Sequence, residues 1–291
     1  MYQNLLNGLF ANHNLTTQLD KEKYLQSLQP HVRSLRTSYN SFPVRFDYTN
    51  VHIQAGYLLA YFPHYTDLLL RTLNTTGNTF ANSNINELLL FGSGPCPEII
   101  GYLRYIQEHT PSIRRDIKAT IYDIAATDWK WSRDIVYSNV APSFLNGSTV
   151  KRTAGQTDIS KPFSIEIDST KKLCVFQNCL NEISVSNHQA LITNIKDIFQ
   201  QLSTGSYLAI IDLNFRQVLD LITQIETSLK SNFKCEMIRN INDGEIAHRT
   251  SQRNEPSIIT DHLLIDKFGG TPTGLLTRRN INFIYALIKK C

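Results

Sequence analysis

From Glu87 to about Ser231, short apolar runs alternate with longer segments whose apolar residues recur at helical spacing. The runs "ELLLF", "KATIYDI", "KLCVFQN" and "SYLAIIDL" read as strands, with a weaker one near "STVKRT". The segments "TDWKWSRDIVYS", "NHQALITNIKDIFQQL" and "FRQVLDLITQIETSLKS" read as helices, as does the stretch from about Pro97 to Glu108. Strand alternating with helix over this length predicts an α/β architecture with a mostly parallel sheet covered on both faces. The end of the chain differs. "FKCEMIRNI" and "NINFIYALIKK" read as two strands separated by polar loop rather than by a crossover helix, which predicts an antiparallel addition at the sheet edge. Upstream, "EKYLQSLQPHVRSL" and "YTDLLLRTL" carry helical spacing and run into the polar loop "NTTGNTFANSN". That loop divides an N-terminal helical extension, residues 1–80, from an α/β domain, residues 81–291.

Composition narrows the class only slightly. Hydrophobic content of 42% with 19% charged residues suits a globular chain, and 291 residues suffice to bury a full core. A net charge of +4 permits an anionic partner without requiring one. The five cysteines are scattered with no C-x-x-C pair, which signals neither a disulfide framework nor a metal site and suits reduced thiols in a cytoplasmic protein. No basic n-region with an apolar run opens the chain and no 18 apolar residues run together, so neither a signal peptide nor a membrane span is expected.

Candidate chemistry begins where the first strand breaks into Gly92-Ser93-Gly94-Pro95. In open α/β sheets the first strand-to-helix turn is a usual ligand site, because glycine lets a ligand approach the backbone closely. A dinucleotide pyrophosphate would need backbone N–H donors and the positive end of the helix there. Pro95 and Pro97 offer no N–H, Pro97 stands at the third-glycine position of G-x-G-x-x-G, and Glu98 adds negative charge to the first turn. A nicotinamide dinucleotide is therefore the poorer occupant, and a nucleoside bearing a cation, such as S-adenosylmethionine, the better one. "IYDIAATDW" ends a strand at Asp123, where a carboxylate can accept from both ribose hydroxyls, while Asp128 suits a cap on the next helix. "LCVFQNCLNEI" runs a buried strand into Asn178, Cys179, Leu180, Asn181 and Glu182 at the same rim.

In this order "LLLFGSGPCPEIIGYL", "IYDI", "FQNCLNEI" and "YLAIIDL" resemble the successive motifs of class I S-adenosylmethionine-dependent methyltransferases, over about residues 85–215. The resemblance implies a Rossmann-like methyltransferase fold: a mostly parallel seven-stranded sheet with helices on both faces, here carrying an N-terminal helical extension. It implies S-adenosyl-L-methionine as cosubstrate. By position, Gly92, Ser93 and Gly94 would face its methionine and ribose part and Asp123 would bind the ribose hydroxyls, with Pro95 and Ile124 also among the cosubstrate-binding residues. Thr157 or Asp158, in "GQTDIS", would meet the adenine amine, and Asn178 and Cys179 would approach the methionine end, with Leu180 also among the cosubstrate-binding residues. "AGYLLAYFPHYTDLL" with "GSGP" and "CLNEI" is also similar to methyltransferases associated with small ribosomal subunits, and "GSGP" to nicotianamine synthases, which move an aminocarboxypropyl group.

Methyl transfer from a sulfonium gains much of its rate from geometry, so a dedicated base is optional. Candidates are Tyr57, Tyr61, Glu182 and His188, with His64 a further possible base. Tyr57, Tyr61 and Tyr65 recur every four residues, although Pro63 should end one helix near Tyr61 and begin another. Arg278 and Arg279, before the last strand, are placed to meet an acidic or phosphate-bearing substrate. No basic stretch carries interleaved aromatics, so a small-molecule or natural-product acceptor is the leading expectation, ahead of RNA or a ribosome-assembly role, and no metal is expected.

Overall fold

The computed structural model describes residues 1–239, 248–252, 254–265, 267–268, 271–272 and 275–291. Six helices come first: α1 (Tyr2–Asn12), α2 (Gln18–Ser27), α3 (Gln29–Ser38), α4 (Val51–Ala60), α5 (Phe62–Asn74) and α6 (Asn78–Ala81). Their boundaries follow local chemistry. The Thr17 hydroxyl accepts from the Asp20 N–H to cap α2, and the Asn50 side chain accepts from the N–H groups of His52 and Ile53 to cap α4. Pro63 stands in the first turn of α5, so the apolar run from Ile53 to Leu73 divides into two helices as its spacing predicted.

The α/β part follows in the order β1 (Glu87–Phe91), α7 (Pro97–His109), β2 (Asp116–Asp123), α8 (Lys130–Ile135) and β3 (Thr149–Gln156). It continues through β4 (Lys172–Gln177), α9 (His188–Gln201), β5 (Tyr207–Leu213), α10 (Arg216–Asn232) and β6 (Cys235–Arg239), and a C-terminal strand, Asn282–Lys290, closes the chain. The sheet order is β3-β2-β1-β4-β5-C-terminal strand-β6, with a short strand, His248–Arg249, also paired to the C-terminal strand. Strands β1 to β5 are parallel neighbours; the C-terminal strand is antiparallel to both β5 and β6. These two strands are the antiparallel addition expected at the sheet edge, with β6 at the rim and the C-terminal strand between it and β5. All six residues from Phe283 to Ile288 are buried, so that strand needs a neighbour on each side, whereas half-exposed β6 tolerates the rim. The other rim is β3, whose residues are nearly all exposed, which explains why its sequence signal was weak.

Two cores lie on the two faces, sorted by the two-residue period of the strands. Leu88 and Leu90 of β1 and Leu173 and Val175 of β4 pack with the N-terminal helices and α7. Leu89, Phe91, Cys174 and Phe176 turn the other way onto α9 and α10. The extension shares the first core: α5 approaches α7 so closely that a Cβ on Gly101 would come 2.6 Å from the Thr66 carbonyl oxygen. No helix among the described residues is long and apolar enough to cross a membrane.

Phe91 and Phe176, neighbours on β1 and β4, stack with centroids 4.5 Å apart and are both fully buried. Phe176→Ala should lower stability by about 3–5 kcal/mol, read as a fall in the urea unfolding free energy.

Candidate active site

The turn after β1 is built from left-handed backbone. Gly92 (φ 61°), Gly94 (φ 46°) and the non-glycine Cys96 (φ 63°) all occupy it, and Pro97 then opens α7. The glycines answer to packing as well as to backbone angle. A Cβ on Gly92 would lie 2.4 Å from the Cys179 Cβ, and one on Gly94 would lie 3.0 Å from the Trp129 indole. Absence of side chains there lets the end of β4 and the β2–α8 loop close onto the turn. Asp123, the last residue of β2, locks this arrangement: one carboxylate oxygen accepts from the Gly94 N–H at 2.8 Å and the other from the Ala125 N–H at 2.7 Å.

A cavity of about 210 Å³ opens over these strand ends. It brings together Gly92, Ser93, Gly94, Pro95, Asp123, Ile124, Thr157, Asp158, Asn178, Cys179, Tyr57 and Glu182 of the residues singled out in the sequence. Leu180 lies outside the lining; it is fully buried and its N–H donates to Asp212 at 2.9 Å. Tyr61 and His188 also lie outside it, Tyr61 stacked on Tyr57 at 5.9 Å and His188 at the start of α9 beside Phe42. Tyr65, in ring contact with both tyrosines, is fully buried, and the His64 Nδ1 pairs with the Thr250 hydroxyl away from the cavity. Arg278 sits over the Tyr61 ring at 5.6 Å. Asp128 caps nothing with its side chain; its carbonyl accepts from Gln54 at 2.9 Å.

The cavity also holds Tyr39, Arg45, Tyr48 and Trp129, which the motifs did not reach, and Gln177 and Glu98, which lie within the motifs without having been assigned to the ligand. Tyr39, Arg45 and Tyr48 belong to the link between α3 and α4. That link is fastened over the strand ends by the Val44 N–H donating to the Asn181 carbonyl at 2.9 Å and by Gln54 donating to the Tyr48 carbonyl at 2.7 Å. Aromatics clustered in otherwise polar stretches, "SFPVRFDY" and "TDWKWS", are the sequence signal that marks Arg45, Tyr48 and Trp129.

Buried carboxyls dominate the electrostatics. Burial pushes Glu98 up to about 8, and the Ser93 hydroxyl, which donates to it, opposes that only in part. Burial likewise pushes Glu182 up to about 8 against the Tyr48 hydroxyl that donates to it. Asp123 is raised by burial despite its two backbone donors. Behind the lining, burial raises Asp212 to about 6, where it collects the Asn181 side chain and the N–H groups of Leu180, Asn181 and Leu213. Asp158 goes the other way: burial is outweighed by the Ser160 hydroxyl and N–H and by Lys161 at 3.1 Å. Burial holds the Cys179 thiol far from ionisation, which removes it as a nucleophile.

Glu98 supplies a signed pH test. Its folded value lies above the ordinary 4.5, so the native chain keeps a proton that the unfolded chain releases. The stabilisation is complete below the unfolded value and is lost as pH rises through about 8. Between about pH 5 and about pH 8 the urea midpoint of the wild type should fall, and that of Glu98→Gln should fall less; equal falls would contradict the assignment.

No protein-family model matches the chain, and no curated protein matches it in sequence. Solved structures do resemble it. The plantazolicin methyltransferase BpumL, solved with S-adenosylhomocysteine, is 15% identical with a TM-score of 0.44, over 94% of this chain and 99% of that one. The N-methyltransferase NodS of Bradyrhizobium japonicum is 10% identical with a TM-score of 0.41, over 89% and 98%. A methyltransferase of Methanosarcina mazei is 15% identical with a TM-score of 0.35, over 71% and 92%. Values this low say nothing of substrate or residue roles. The sheet order, the antiparallel C-terminal strand inserted before β6, and the glycine turn closing β1 give this chain the Rossmann-like fold of class I S-adenosylmethionine-dependent methyltransferases.

Proposed function

We propose that the protein binds S-adenosylmethionine and transfers its methyl group to a small-molecule acceptor. The observation that carries this reading is Asp123: a buried carboxylate at the end of β2, bonded to the Gly94 N–H and lining the cavity beside the glycine turn. A carboxylate so held is positioned to accept from two neighbouring hydroxyls, as the ribose presents them.

The donor set fits such a molecule. Asn178 has a left-handed backbone (φ 54°), and both its side-chain oxygen and nitrogen are buried without a protein partner. An amide left so, on the cavity wall, answers to a ligand carrying both donors and acceptors, as the methionine end does. The Asp158 carboxylate is already engaged by Ser160 and Lys161, which leaves Thr157 as the polar side chain for the adenine edge. When bound, the cosubstrate supplies an electrophilic methyl group on sulfur. The chain's own work is then to hold the acceptor in line and to keep water away, which the walls formed by Tyr39, Tyr48, Tyr57 and Trp129 suit.

An RNA acceptor fits this cavity less well. Among the described residues its lining carries four carboxyl side chains and one guanidinium, an unfavourable surface for a phosphate chain. Aminocarboxypropyl transfer would use the same cosubstrate and is separated by its product, methylthioadenosine in place of S-adenosylhomocysteine.

Calorimetric titration with S-adenosylhomocysteine should give saturable binding, and Asp123→Ala should weaken it by roughly 10-fold to 100-fold with the far-ultraviolet circular dichroism unchanged. Asp123→Asn, which preserves the shape of the side chain, separates loss of charge from disturbance of the Gly94 turn. Undiminished affinity in both variants would refute the ribose assignment.

A further inference from the structure

Part of the cavity wall is supplied by the α3–α4 link, Tyr57, Trp129 and the end of β4, and its chemistry is asymmetric. Gln177 shows this most directly. Its amide nitrogen donates to the Tyr65 carbonyl at 3.1 Å, a partner that can only accept, so the flip of the amide is determined. The amide oxygen therefore faces the other way; it is buried, has no protein partner, and belongs to a residue of the cavity wall only 2% exposed. A buried acceptor in that state calls for a donor from the ligand.

Charge points the same way. Of the four carboxyl groups on the lining, Asp158 is neutralised by Lys161 at 3.1 Å. Among the described lining residues the other acidic groups, Glu98, Asp123 and Glu182, outnumber the guanidinium of Arg45, which also bonds the Ser184 hydroxyl. Behind the lining, the Arg133 guanidinium is turned onto the Gly94 and Ala126 carbonyls and acts to lower Asp123. Tyr48 and Tyr57 contact Trp129 at centroid distances of 5.1 and 5.5 Å, forming a continuous aromatic wall beside Glu182, and faces of this kind attract cations.

We propose that the acceptor is an amine that enters as its ammonium, against Tyr48, Tyr57 and Trp129, donates to Gln177, and gives its proton to Glu182. This inference rests on the methyltransferase reading and names the substrate class of its site. In the step, an N–H bond of the ammonium breaks, its electron pair stays on nitrogen and the proton goes to the Glu182 carboxylate. That pair then forms the bond to the methyl carbon as the carbon–sulfur bond breaks with its pair passing to sulfur. The product is a methylated ammonium, and Glu182 returns its proton to water before the next cycle. Glu182 suits the exchange because burial brings it to about 8, near the pH at which it must both take and release a proton. Tyr48, Asp123, Asp212 and Arg45 are the groups that tune it, Tyr48 and Arg45 lowering its value and the two aspartates raising it.

The test titrates the full chain in two stages by calorimetry. S-adenosylhomocysteine alone comes first; if it does not bind, the cosubstrate reading falls and the amine reading falls with it. With S-adenosylhomocysteine saturating, phenethylamine and its neutral counterpart 2-phenylethanol are then compared. The amine should bind at least about tenfold more tightly, Glu182→Gln should abolish the preference while leaving S-adenosylhomocysteine affinity unchanged, and Tyr48→Phe should keep it. In Tyr48→Phe the acid limb of amine binding should also move to higher pH, since the lost hydroxyl had been holding Glu182 down. Equal binding of the two probes, binding of neither, or a preference that survives Glu182→Gln would overturn the amine assignment and leave the cosubstrate reading standing.

Discussion

The site depends on the close approach of three strand ends at one turn. Gly92 and Gly94 hold left-handed backbone with no side chain, so Cys179 at the end of β4 and Trp129 after β2 can press against the turn. Asp123 then binds the Gly94 N–H across the gap between β2 and β1. A Cβ at Gly92 would lie 2.4 Å from the Cys179 Cβ, well inside contact distance, so a side chain there would force the chain after β4 to shift. The register that makes this possible is ordinary parallel pairing: Phe91 lies beside Tyr122 on one side and Phe176 on the other, so the three strands end at the same height.

Around that floor the helical extension does two jobs with the same packing. Its helices α4 and α5 bury an apolar face on the sheet and α7, and the link before α4 carries Tyr39, Arg45 and Tyr48 across the strand ends. Lowered contact with water raises Glu98, Glu182 and Asp123 together, because each loses hydration and Asp123 repels both glutamates. An enclosure of weakly acidic carboxyls with aromatic walls has a definite preference: it favours a compact cation and disfavours a polyanion. The same burial that makes the carboxyls poor anions makes them usable as proton acceptors near neutral pH.

The floor of the site was legible in the sequence because its parts are local. Strand, glycine turn and helix follow one another within "ELLLFGSGPCPEII", and Asp123 and Asn178 each end an apolar run whose pattern shows where the strand stops. Asp128 was read as a helix cap, yet Trp129 stands at that position and the Asp128 side chain is left outside, since the helix begins one residue later than its polar signal suggested. Leu180, next to the two rim residues, was expected at the ligand; the single turn after Cys179 rotates it into the core instead. Tyr61 shares a face with Tyr57 in sequence but stands at the break before α5, which turns its ring to Tyr39 and Arg278.

By itself the sequence determined the alternation of strands and helices, the sorting of apolar residues to two faces, and the turn that bends at Gly92 and Gly94, because each depends on neighbours a few residues apart. Only the tertiary structure decided which polar groups share the cavity. Tyr48 and Glu182, and Gln177 and the Tyr65 carbonyl, meet across long separations in the chain, and no local pattern encodes such meetings. The placement of the C-terminal strand inside the sheet was decided the same way, by its need for a partner on either side once both of its faces are buried. The shifted carboxyls belong to this second class, for a carboxyl takes its acidity from what surrounds it in space rather than from its place in the sequence.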